Sequence, residues 1–92
     1  MGLTTYELRF SDEAMEHIAY FKKLGDAAIK KKIDRLLSEM EEHPETGAGQ
    51  PEQLKYNLTG FWSRRINLEH RILYQIDKTE MIVYVYKLKG HY

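Results

Sequence analysis

The hydrophobic pattern of this chain changes period once, near residue 44, and that switch limits its possible folds more than any other feature. Before it, Ala14, Ile18, Phe21 and Leu24 recur at helical spacing, and Ile29, Ile33, Leu36, Leu37 and Met40 form a second stripe. Gly25 and Asp26 separate the stripes. The glycine suits the left-handed residue that ends a helix, and the aspartate can cap the next one. Ser11 can cap the first helix, with Asp12 and Glu13 in a first turn that favours negative charge. The spacing therefore predicts helices over about 12–24 and 27–42, folded into an antiparallel hairpin and closed by His43-Pro44.

After the turn-rich stretch PETGAGQP (44–51), alternation takes over. Strand-like runs occupy 52–58, 61–67, 70–76 and 81–88, separated by Asn57–Gly60, Asn67–Glu69 and Asp77–Glu80. A further alternating run, LTTYELRF at 3–10, precedes the helices. The order β-α-α-β-β-β-β predicts an α+β fold with the helical hairpin on one face of a mainly antiparallel sheet. A single domain over 1–92 is expected, without repeats or a linker. With 42% apolar and 30% charged residues the chain can build one small core. No apolar run approaches a membrane span and no signal-peptide pattern opens the sequence, so a cytoplasmic protein is expected. Without cysteine there is no disulfide framework and no thiolate metal site.

The formal net charge is zero, which argues against a protein that coats nucleic acid by bulk electrostatics. The charge is unevenly placed, however. Residues 1–49 hold seven Lys/Arg against ten Asp/Glu, whereas residues 50–92 hold seven against four. An anion site therefore belongs to the second half. There the stretch from Gly49 to Arg71 gathers Glu52, Lys55, Arg64, Arg65, Arg71 and Trp62, and His91-Tyr92 adds an imidazole and a phenol. Cations this close repel one another unless an anion sits among them.

Period two sorts these residues. Phe61, Ser63 and Arg65 point one way, and Trp62, Arg64 and Ile66 the other; Arg71, Leu73 and Gln75 oppose His70, Ile72, Tyr74 and Ile76. Adjacent strands can thus bring Arg65 and Arg71 together. Glu52 and Lys55, three apart, join them only where a bulge or strand end breaks the alternation. The set matches the needs of metal-free RNA cleavage by the substrate's own 2′-hydroxyl: a base (Glu52), a phosphate clamp (Arg65, Arg71) and an acid (His91). Arginine fits the clamp through its planar, permanently charged fork, and histidine fits the acid through its unperturbed pKa of ~6.5.

Taken singly, each residue has an ordinary structural use. A strand glutamate is commonly a solvated charge, Arg64-Arg65 a surface pair, and a terminal His-Tyr a frayed end. Trp62 and Tyr74 read as core and His70 as a structural hydrogen-bonding residue. His17 and His43 read as surface helix and helix-end residues, and Lys30–Lys32 with Arg35 as a solvated helix face. Only the combination raises nuclease chemistry above these uses. With no HExxH, no cysteine–histidine cluster and no glycine-rich phosphate loop, neither a metal nor a nucleotide cofactor is expected.

The run GAGQPEQLKYNLTGFWSRRI (47–66), followed by Glu69-His70-Arg71, Tyr74 and the final His91-Tyr92, resembles the Txe/YoeB toxins of the RelE superfamily of toxin–antitoxin systems. The resemblance spans the whole chain, strongest over 47–74 and at His91-Tyr92; Gln50 stands where many relatives have lysine. It implies a RelE-like fold and a ribosome-dependent endoribonuclease that cuts mRNA in the A site. By position, Glu52 would be the general base, His91 the general acid, and Arg65 and Arg71 the groups binding the scissile phosphate. Lys55 would add positive charge, Tyr92 would position the RNA, and Arg64 is expected among the RNA contacts. The implied partner is a YefM-type antitoxin, in a homodimer or a toxin2–antitoxin2 complex that binds operator DNA only through the antitoxin. The rivals are a non-catalytic toxin gripping a protein target such as gyrase, and a simple RNA-binding module.

Overall fold

The computed structural model describes residues 5–90. Strand β1 (Glu7–Phe10) leads into helix α1 (Asp12–Leu24) and helix α2 (Ala27–Glu42). Strand β2 (Glu52–Gln53) follows, then β3 (Trp62–Arg65), β4 (Arg71–Asp77) and β5 (Ile82–Lys87). This is the α+β arrangement the periodicity predicts, and both helices keep the expected bounds.

Their ends show why. The Ser11 hydroxyl accepts from Ala14 N at 3.0 Å, and the Asp26 carboxylate accepts from Ala28 N and Ile29 N. Gly25 carries φ +68° and donates its N–H to Lys22 O, closing α1 in the left-handed conformation. Ser11 also reaches across to the sheet, where its hydroxyl donates to Tyr86 O at 2.7 Å and ties the start of α1 to β5.

The sheet order is β1-β5-β4-β3-β2. The chain starts at one edge, crosses the sheet through both helices and re-enters at the far edge. It then meanders back until β5 slots between β4 and β1. The β2–β3, β3–β4 and β4–β5 pairs are antiparallel, while β1 runs parallel to β5. Ala14, Phe21, Ile33, Leu36 and Met40 from the helices pack against Ile72, Tyr74, Val83 and Val85 of the sheet. One sheet face is thereby covered by the helices. Among the described residues no helix is long and apolar enough to cross a membrane.

Two strand expectations need correction. The run 52–58 is strand only at Glu52–Gln53; Tyr56–Leu58 form a 3-10 turn. Tyr56 takes φ +58°, which no strand can hold, and Leu58 N and Thr59 N bond back to Lys55 O and Tyr56 O. The first strand begins at Glu7 instead of residue 3, and residues 3 and 4 lie outside the described residues.

Candidate active site

The β3–β4 register sets Arg65 directly opposite Arg71, on the sheet face away from the helices, as the alternation predicts. Glu52 reaches the same face because β2 pairs it with Ser63, two residues before Arg65. No bulge is required. A Glu52 carboxylate oxygen lies 3.9 Å from Arg71 Nη1, with Arg71 largely covered (side chain 20% exposed) and Glu52 open (62%). Arg65 is exposed. One carboxylate and two guanidinium groups thus share a patch, and among the described residues only Arg71 of the two has an acidic neighbour within ion-pair distance. Between Glu52 and Leu73 the Ser63 side chain is fully buried, and its hydroxyl has no hydrogen-bond partner among the described residues.

Lys55 stands beyond the end of β2, where alternation no longer applies. It is exposed and lines, with Glu52, an open groove of about 600 Å³ formed by residues 52–58. The strand end therefore lets base candidate and lysine face one hollow.

Arg64, expected among the RNA contacts, is corrected by its position. It is fully buried on the helix-covered side. Its Nε donates to the Tyr74 hydroxyl (3.1 Å), Nη1 to Ala48 O (3.2 Å), and Nη2 to Thr46 O (2.7 Å) and His43 O. Tyr74 in turn donates to Pro44 O at 2.7 Å. A buried guanidinium without a hydrogen-bonded network would be prohibitively costly; here the loop's carbonyls supply the acceptors. Burial raises the Tyr74 phenol above its ordinary pKa, opposed by the hydrogen bond and charge of Arg64. Arg64 thus organises the loop delivering Glu52 and cannot itself meet a substrate.

Gly49 completes that loop. Its carbonyl accepts from Arg65 N at 2.7 Å. With φ +84°, a Cβ there would sit 2.9 Å from Arg65 O and 3.0 Å from Leu36 Cδ2. Only glycine lets the loop cross β3 this closely.

His91 and Tyr92 lie outside the described residues. The backbone just before them is well held: Gly90 O accepts from Arg71 N at 3.1 Å, and Gly90 N donates to His70 Nδ1 at 3.1 Å. The structural reading of His70 is therefore correct. It is 8% exposed, its ring meets Phe21 edge to face, and its amide bonds to the Asn67 side chain. His17 is not the surface residue expected; it is half-buried, and its Nδ1 accepts from Leu88 N at 3.0 Å. The sequence signal was its place beside Ile18 and one turn before Phe21. His43 is exposed at the end of α2, and Lys30 is exposed and paired with Asp34, as a solvated helix face should be.

Comparison with known proteins adds an independent line. Residues 10–92 match the family described as the YoeB-like toxin of bacterial type II toxin-antitoxin system. The chain is similar to Toxin YoeB of Escherichia coli strain K12, with 39% identity over 77 residues, covering 84% of this chain and 90% of that one. Among solved structures, a YoeB/ParE toxin from Agrobacterium tumefaciens superposes with a TM-score of 0.86 at 30% identity, covering 94% of this chain and 99% of that one. YoeB in the heterotetrameric YoeB-YefM complex from Staphylococcus aureus superposes at 0.80 with 40% identity, covering 95% and 98%.

Proposed function

This chain belongs to the YoeB-like toxins of bacterial type II toxin–antitoxin systems, and from that membership we propose that it is a metal-independent endoribonuclease cutting mRNA in the ribosomal A site. The observation that carries the reading is the shared face: Glu52, Arg65 and Arg71 side by side, with Gly90 bonded to the Arg71 amide immediately before His91. A toxin built only to grip a protein has no need of this acid–base and phosphate-binding set.

In the proposed reaction Glu52 takes the proton from the 2′-hydroxyl as its oxygen attacks the adjacent phosphorus. Arg65 and Arg71 hold the non-bridging oxygens while negative charge builds there. The bond from phosphorus to the 5′-oxygen breaks, and His91 delivers a proton to that oxygen. The products are a 2′,3′-cyclic phosphate and a 5′-hydroxyl. Lys55, in the groove beside Glu52, holds the neighbouring backbone, and Tyr92 orients the RNA at the cut. The relative from Staphylococcus aureus assembles with YefM as a heterotetramer; a comparable antitoxin is proposed to cover this face here. Work on the ribosome places the protein in the cytoplasm.

The test is cleavage of translated mRNA by the wild type and by Glu52→Gln. The variant is expected to lose about 10²–10⁴ in rate with unchanged thermal stability, because Glu52 is an exposed side chain. A 2′-deoxy nucleotide at the cut is expected to stop the reaction, and a chelator to leave it unchanged. Continued cutting of the deoxy substrate would refute the mechanism. Toxicity that persists in Glu52→Gln without any RNA cut would favour the protein-gripping reading.

A further inference from the structure

The segment leaving β5 is held by two histidines from distant parts of the chain, and both use the same atom. His17 on α1 accepts from Leu88 N through Nδ1 (3.0 Å), and His70, just before β4, accepts from Gly90 N through Nδ1 (3.1 Å). An Nδ1 that accepts puts the ring proton on Nε2. Behind each Nε2 stands a carboxylate at 3.6 Å: Glu13 for His17 and Glu69 for His70, with Lys87 also 4.0 Å from Glu13. Each carboxylate favours the tautomer whose Nδ1 is free to accept. The Leu88 side chain is fully buried, and Lys89 lays its ammonium over the Tyr20 ring at 3.9 Å. Gly90 takes φ +105° and its carbonyl closes on Arg71 N.

We propose that His17 and His70 are positioning residues, a pair of imidazole acceptors that fix the backbone of Leu88 and Gly90 beside Arg71. The proposal rests on the nuclease reading for its catalytic consequence, since His91 follows Gly90. The clasp itself stands on the geometry alone. Ordinary core packing of an imidazole would be met by any flat apolar side chain. A positioning role requires an acceptor at the Nδ1 position, which the side-chain oxygen of asparagine reproduces and leucine does not.

The experiment compares His17→Asn, His17→Leu, His70→Asn and His70→Leu with the wild type, using amide hydrogen exchange and single-turnover cleavage on programmed ribosomes. In each leucine variant the Leu88 or Gly90 amide is expected to exchange roughly fivefold to tenfold faster, while amides in the middle of β4 keep their protection. Each asparagine variant is expected to restore the slow rate. For cleavage, the leucine variants should lose about tenfold to 10²-fold in kcat with KM little changed, and asparagine should recover most of it. Wild-type protection of both amides in the leucine variants would overturn the proposal, and so would equal loss in the asparagine and leucine variants. Should His70→Leu fail to fold, the His17 pair decides by the same readout. Should the wild type cut no RNA, the exchange data still judge the clasp while the nuclease reading falls separately.

Discussion

Two neighbouring arginines should behave in opposite ways when replaced by methionine. Arg64 is fully buried and makes four charge-assisted hydrogen bonds, to the Tyr74 hydroxyl and to the carbonyls of Ala48, Thr46 and His43. Methionine retains much of the stem's packing and none of its donors. His43 and Thr46 are exposed, so water can take over their carbonyls. Ala48 O and the Tyr74 oxygen are less accessible and lose an established donor, although Tyr74 still donates to Pro44. Two weakened acceptors at about 1–3 kcal/mol each put the loss for Arg64→Met near 3 kcal/mol. For a domain of this size that corresponds to a fall in Tm of roughly 12–24 °C. Arg65 is exposed, and Arg65→Met should stay within about 0.5 kcal/mol of the wild type while losing cleavage. Trp62 is the single tryptophan and stacks near Tyr74 (ring centroids 6.5 Å apart), so denaturant unfolding followed by its fluorescence reports on this region. The reasoning fails if Arg64→Met is as stable as the wild type, or if Arg65→Met is equally destabilised.

Gly49→Ala should cost about 2–3 kcal/mol, because φ +84° coincides with a methyl 2.9 Å from Arg65 O. Gly25→Ala, at φ +68° where an added methyl meets no described residue other than its chain neighbours within 4 Å, should cost about 1 kcal/mol; equal losses in chemical denaturation would show that crowding at Gly49 is irrelevant. Burial keeps the Tyr74 phenol neutral to higher pH than in the unfolded chain, where it ionises near ~10. The stability tied to that difference is intact below the unfolded value and is lost as pH rises through the folded one. Tyr74→Phe should flatten this alkaline decline, and an unchanged slope would refute the assignment.

The period switch and the cap residues made both helices readable to the residue, because Ser11, Gly25 and Asp26 act locally and need no tertiary partner. The Arg65–Arg71 face was readable for a similar reason: alternation is a property of each strand. Arg64 departs from the sequence expectation, since it is fully buried. Alternation already placed it with Trp62 and Ile66 on the core side, and only the expectation that arginine seeks solvent or phosphate argued otherwise. Its acceptors come from residues 43–48, and no local pattern announces that a loop will turn its carbonyls inward. The short β2 was hidden because EQLKYNL has strand-like alternation, whereas the left-handed Tyr56 depends on the turn that follows. The role of His17 was hidden by distance, since the Leu88 amide it accepts from lies 71 residues away, whereas the structural role of His70 was legible and only its partner, Gly90, was not.

The place of β5 between β1 and β4 has a consequence for how the molecule comes into being. During synthesis the first strand and both helices leave the ribosome with an apolar surface and no strand beside β1, and the meander has only its outer portion. Each must wait for β5. That strand brings together segments some 75 residues apart in the chain (Glu7 with Ile82) and joins the two halves in one late, long-range event, a slow class of step. Until residues from Ile82 onward are made, β1 therefore has no neighbour and β4 keeps an open edge.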